Sequence, residues 1–215
     1  MIQSRRLKRG RGVWTLALLA GAGSGCHQRV AVDHYPPGVL RVRYIPAGSY
    51  TECLLASTVM CANYVTDSRR FSLPRTRDEL QAAGLDATRV ADMARWLASD
   101  RLTLQPLTGQ FSDQELVGLG WWLNKGRYPV ICVMNKHAGN AEYNHAVVVI
   151  GTEGPGPVDQ AQAVFILNPA SPRRIERLEP LAFRHYWNTA GRIMLPLYQT
   201  PPQALKNPGV AGASP

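Results

Sequence analysis

The chain has 215 residues, 45% of them hydrophobic, which is the length of one domain and enough apolar content for a sizeable core. Its formal charge of +9 is uneven. Arg5, Arg6, Lys8, Arg9 and Arg11 precede residue 26 with no acidic residue among them, leaving 19 basic against 15 acidic residues, a net +4 that makes no case for nucleic-acid binding.

Those basic residues open a pattern read as a signal peptide over 1–25. The apolar run Val13 to Ala20 is too short for a permanent membrane span, and Gly21-Ala22-Gly23-Ser24-Gly25 ends directly before Cys26. Small residues ahead of a cysteine resemble a bacterial lipoprotein processing site, with Gly23 where an aliphatic residue is usual. The resemblance implies an exported chain, lipidated on Cys26 and held at the membrane of a bacterial periplasm or cell envelope. Simple secretion with cleavage in the same small-residue stretch is the alternative. Residues 27–38, with Pro36-Pro37-Gly38, read as a tether, and Val39 to Ile45 as an edge strand.

At Tyr50-Thr51-Glu52-Cys53 an extended segment turns into a helix that runs to about Thr66-Asp67. A cysteine on a first helical turn faces unpaired N–H groups and the positive end of the macrodipole, both of which favour thiolate. Ser68 to Thr76 reads as a loop and Arg77 to Ala83 as a short helix closed by Gly84. Asp86 caps a helix in which Val90, Met93, Ala94 and Leu97 share one face. Leu102 to Leu107 is a short strand. Ser112, with Glu115 three residues on, predicts a capped helix as far as Trp121-Trp122-Leu123, the tryptophans packing inward.

Strands dominate from there. Tyr128 to Met134, His145 to Gly151 and Ala163 to Leu167 are apolar runs of strand length, the last two joined across Gly154-Pro155-Gly156-Pro157. Leu181 to Trp187 reads as a helix, Arg192 to Leu197 as a last strand, and 199–215 as a Pro/Gly/Ala-rich disordered tail. Helices followed by a mostly antiparallel sheet make an α+β domain over 39–198.

The polar residues at the strand ends carry the chemistry. If the His145 and Ala163 strands form an antiparallel pair, His145 at the start of one shares a sheet edge with Asn168 at the end of the other. A thiol nucleophile needs a base within reach, and the base needs a third group to hold its tautomer. Cys53, His145 and Asn168 supply all three, with the Asn168 carbonyl oxygen accepting from the ring Nδ1–H. Cys61 and Cys132 are open to a disulfide in an oxidising compartment. No cysteine pair has metal-ligand spacing with a histidine cluster, so neither zinc nor any other cofactor is expected.

Over about residues 39–190 the chain resembles the papain-like cysteine peptidases related to the bacteriocin-leader (double-glycine) peptidases. Glu52-Cys53 with Ala56 is similar to the acidic-Cys-Gly-x-Ala nucleophile motif, and Gly126 to Ile131 to the Gly-x-Pro strand before the histidine. Asn144-His145-Ala146-Val147-Val148 with Gly151 resembles the His-hydrophobic-Val-Val-x-Gly motif, and Leu167-Asn168-Pro169-Ala170 the Asp-Pro motif. The resemblance implies a papain-like fold, Cys53 as nucleophile, His145 as base, Asn168 as orienting residue, and a peptide or protein as substrate. Three positions depart from it. Ala47 stands where an oxyanion-stabilising Gln is usual, with Ser49 and Tyr50 as nearby substitutes, Leu54 and Leu55 replace small residues, and Asn168 replaces Asp. Three functions are therefore in play: a cysteine peptidase, a catalytically impaired peptide-binding relative, and a cell-wall amidase or transglutaminase-like acyl transferase using the same triad.

Overall fold

The computed structural model describes residues 30–199 apart from positions 33, 138, 139, 155 and 173. The signal peptide, Cys26 and the tail beyond residue 199 lie outside the described residues.

The helix α1 (Cys53–Val65) has no polar face, and every residue from Cys53 to Asn63 is buried. A helix apolar all round has to sit inside a fold, and α1 lies against the middle of an antiparallel sheet. The strands are β1 (Val30–Val32), β2 (Thr103–Leu104), β3 (Leu107–Thr108), β4 (Val130–Met134), β5 (His145–Glu153), β6 (Ala163–Leu167), β7 (Ile175–Leu178) and β8 (Ile193–Tyr198), in the order β1-β7-β6-β5-β4-β8-β2 with β3 also on β8. Helices α2 (Leu73–Ala82) and α3 (Val90–Ala98) flank α1, and α4 (Pro180–Thr189) packs on β4 and β6. The α+β architecture is the one expected, and the runs read as strands from His145 to Gly151 and from Ala163 to Leu167 are strands, as is the run from Tyr128 to Met134 from Val130 on.

Several stretches differ from the sequence reading: β7 has no counterpart in it, and the strand expected over 102–107 is two short ones, β2 and β3. Val30–Val32, read as tether, pair with β7, whereas 39–45 form no regular strand. Instead Leu40 N–H donates to the Ile150 carbonyl, and Val39 lies so close over Gly151 that a Cβ there would come within 2.9 Å of it. Helix α2 begins at Leu73, because Pro74 sits in the first turn, where its missing N–H is not needed. Asp86 folds the turn ahead of α3 by accepting from the N–H and hydroxyl of Thr88, and it caps no helix. No helix spans 112–123. Leu116 takes a left-handed φ of 66° and Gly118 is wedged against the 112–114 backbone, leaving one π-helical turn, Trp121–Lys125. The tryptophans are buried as expected, with Trp122 stacked on Tyr198 and donating to the Leu116 carbonyl at 2.7 Å.

Cys61 and Cys132 are free thiols with no exposure, and burial pushes both well above the ordinary thiol range. The native state keeps these protons where the unfolded chain, with thiols near 8.5, gives them up. Above that pH the unfolded state binds fewer protons and native stability falls, by about 1.4 kcal/mol per pH unit for each buried thiol. Denaturant titrations at pH 8 and pH 10 are expected to show this loss, and Cys61→Ala/Cys132→Ala to show a shallower one. An identical pH slope in the double variant would contradict the assignment.

Candidate active site

Strands β5 and β6 are antiparallel neighbours with Val148 opposite Leu167, so the first residue of β5 lies beside the residue that follows β6. By that register Asn168 falls opposite Val147, and His145, two residues before it on the same face, is its diagonal neighbour; the side chains close the remaining gap, with Nε2 2.7 Å from Oδ1. The ring nitrogen is Nε2, not the Nδ1 expected from the sequence. The Asn168 amide is fixed at both ends. Its Oδ1 also accepts from the Ala170 N–H at 3.1 Å, and its Nδ2 donates to Glu176 Oε1 at 3.2 Å. An acceptor oxygen facing the ring requires a proton on Nε2, and the neutral ring then carries its lone pair on Nδ1.

Cys53 approaches from the other side. As the first residue of α1 it reaches the start of β5, where the Ala146 N–H donates to its Sγ at 3.4 Å. The thiol therefore touches the backbone of the residue that follows His145. Burial pushes its pKa above the ordinary thiol value, and the N–H groups of Ala146, Leu54 and Cys53 itself pull it part of the way back. The helix start does favour thiolate, as the sequence suggested, but desolvation is the larger effect. Leu55 disappears into the core, while Leu54 stands in the wall beside the thiol.

The loop ahead of Cys53 is pinned on two sides. Glu52 accepts from the Gly48 N–H at 2.9 Å and from Arg77 Nε at 2.8 Å. The Ala47 N–H donates to the Pro169 carbonyl at 2.9 Å, and the Tyr44 hydroxyl donates to the carbonyls of Asn168 and Ser171. Ala47 thus holds the Asn168 turn through its backbone, and its methyl side chain can donate to no oxyanion. Ser49 shares its hydroxyl with Thr51, and Tyr50 lies flat against the His145 ring with centroids 5.5 Å apart. The further donor that the sequence offers, the Cys53 N–H, lies where a 3-10 turn over Tyr50–Glu52 runs into α1.

Two hollows flank this centre. One, of about 710 Å³, is lined by Met134, His145, Val147, Ile166, Asn168 and Tyr186; the other, of about 420 Å³, by Cys53, Leu54, Thr88, Val90, Val133 and Ala146. Alternate residues of β4 and β5 point to opposite faces, so the hollows lie on the two faces of that strand pair, and Tyr50 and Glu142 border both. Among the described residues no group of three or more His, Cys, Asp or Glu side chains is placed to hold a metal ion, and no helix is long and apolar enough to cross a membrane.

No family model and no curated protein matches this chain. Solved structures do. A double-glycine-motif protease from an AMS/PCAT transporter, determined in complex with the leader peptide, is similar at a TM-score of 0.52 and 18% identity, over 76% of this chain and 96% of that one. The peptidase domain of Streptococcus ComA, a bi-functional ABC transporter of a quorum-sensing pathway, is similar at a TM-score of 0.51 and 15% identity, over 74% of this chain and all of that one. The fold is therefore that of the double-glycine peptidase domains, a papain-like α+β fold.

Glu176, Tyr44 and the stacking of Tyr50 carry no sequence signal of their own. Glu176 sits in Ile175-Glu176-Arg177-Leu178, a charged tetrad whose strand exists only because β6 and β1 pair with it.

If His145 assists ionisation of a thiol whose own pKa is raised, iodoacetamide alkylation of Cys53 is expected to rise mainly above about pH 8.5. His145→Ala is then expected to slow it at pH 7 and leave the high-pH limit unchanged. An inflection well below 8.5 in wild type would show a resting ion pair instead.

Proposed function

We propose that this chain is a cysteine peptidase in which Cys53 attacks the peptide carbonyl, His145 moves the proton and Asn168 holds the ring. The carrying observation is the convergence of two contacts on the start of β5: the 2.7 Å bond from His145 Nε2 to Asn168 Oδ1, and the 3.4 Å approach of the Ala146 N–H to Cys53 Sγ. The fold shared with the double-glycine peptidase domains supports the same reading.

In the first half-reaction Nδ1 takes the thiol proton, sulfur bonds to the carbonyl carbon, and the oxyanion faces the Cys53 N–H at the positive end of α1. The imidazolium then protonates the leaving amine, leaving a thioester on Cys53. Water, deprotonated by the same nitrogen, hydrolyses the thioester. Asn168 keeps the ring aligned through both proton transfers. The substrate is a peptide or protein segment lying across the end of the β4–β5 pair, reaching both hollows past Tyr50.

We place the domain outside the cytoplasm, lipid-anchored through Cys26. This rests on the first 26 residues alone. Mass spectrometry of the N-terminal fragment from a bacterial membrane fraction tests it, a mature chain starting at a lipidated Cys26 being the expected result.

A second reading, a peptide-binding relative with impaired catalysis, is favoured by one observation: the thiol is buried and held above its ordinary pKa where the usual Gln donor is replaced by Ala47. A mixed peptide library assayed by mass spectrometry separates the two. Wild type is expected to release new N-termini and Cys53→Ala to lose at least ~10³-fold of that rate. Binding without cleavage by wild type would favour the second reading. Cleavage confined to peptidoglycan peptides would identify an amidase.

A further inference from the structure

Glu176 is an acidic side chain only 3% exposed, in the strand next to β6, and burial of a carboxyl group is costly unless something uses it. Its Oε1 accepts the Asn168 Nδ2–H, and Asn168 is also the residue that faces His145. An asparagine is chemically two-sided. One end of its amide accepts and the other donates, and the two are close to isosteric. Turned by 180°, Asn168 would aim an N–H at His145 Nε2, where a neutral ring could only accept it, so the ring proton would move to Nδ1. Such a ring carries a proton, not a lone pair, on the nitrogen that the peptidase proposal uses as base.

The carboxylate removes that alternative. It can accept and, when ionised, cannot donate, so the NH₂ end of Asn168 is drawn toward β7 and the oxygen toward His145. The Ala170 N–H biases the amide the same way, but Ala170 lies in an exposed turn, whereas Glu176 is fixed in a strand. From these contacts we infer that Glu176 is a positioning residue: by fixing the Asn168 amide it selects the His145 tautomer with the proton on Nε2 and the lone pair on Nδ1. The chain thus extends the triad by one buried carboxylate. The inference deepens the peptidase proposal and rests on its assignment of Cys53, His145 and Asn168. It does not need the protein to turn over a peptide.

The charged and titratable groups around Glu176 fit this role. Burial, with a smaller push from the Glu176 carboxylate, raises the pKa of the Tyr44 phenol, whose hydroxyl donates to the Asn168 carbonyl. The next residue, Arg177, is turned to Glu153 on β5, with its Nε 2.9 Å from Oε2.

The test reads the ring directly. In the full chain with ¹⁵N-labelled histidine, the His145 ring shifts at neutral pH are expected to report the Nε2–H tautomer, and an Nδ1–H tautomer in wild type would overturn the inference with no variant needed. Glu176→Gln retains an acceptor and is expected to keep the tautomer, with Cys53 alkylation by iodoacetamide near the wild-type rate. Glu176→Leu removes the acceptor and is expected to give a mixture of tautomers and alkylation about tenfold slower at pH 7, the scale of one hydrogen bond to a charged group. Asn168→Asp in the Glu176→Leu background makes the group facing His145 an acceptor at both ends, and is expected to restore both the tautomer and the rate. A purely structural Glu176 predicts no such restoration. A folded Glu176→Leu variant that keeps the Nε2–H ring, or a double variant that stays slow, would overturn the inference. A wild-type ring in the expected tautomer with no peptide hydrolysis would instead count against the peptidase proposal alone.

Discussion

A thirteen-residue helix with no polar face has one place to go, and the rest of this fold is arranged around where it goes. Because α1 can be stable only inside the protein, its first residue arrives buried, against the start of the central strand β5. There the Ala146 N–H meets the Cys53 sulfur at 3.4 Å. The same fact sets the chemistry available to the thiol. Burial raises its pKa more than the backbone N–H groups around it lower it. The packing that places the thiol at the start of β5 therefore also works against its ionisation.

The second organising element is the β5–β6 pair. Antiparallel pairing places the head of one strand beside the tail of the next without any dedicated interaction, so the approach of His145 to Asn168 follows from the sheet itself. The orientation within that approach does not follow. It depends on the Asx turn to Ala170, on the carboxylate of Glu176, and on Tyr44 and Ala47 lacing the 168–171 turn to the segment that leads into α1. Sheet topology gives proximity, and a small set of buried polar contacts gives direction.

This division matches what could be read from the residues alone. The apolar runs at 130–134, 145–151 and 163–167 and the long apolar helix after Glu52 are strong local signals, so the α+β class and the meeting of His145 with Asn168 were legible. Their local pattern and tertiary fate agree. The failures share a cause. Ser112 and Glu115 have the spacing of a capping box, yet packing of Trp122 and the close approach at Gly118 override it. Strand β7 has almost no strand signal, since half its residues are charged, and it forms because strands on both sides offer it hydrogen bonds. Missing β7 meant missing Glu176, and with it the group that accepts from the Asn168 amide. Long-range partners decide these points, and no window of a dozen residues contains them.

The short pairing of Val30–Val32 with β7 has a consequence for how the protein behaves in a crowded solution. Without it β7 would be an outer strand of four residues, its backbone groups open to another chain. With it, the sheet among the described residues ends in a three-residue strand on one side and two-residue strands on the other. Edges that short are poor templates for a further strand, so an extensive, strongly apolar sheet is kept from stacking edge to edge with its own copies. The segment before the folded core thereby acts as a guard against aggregation.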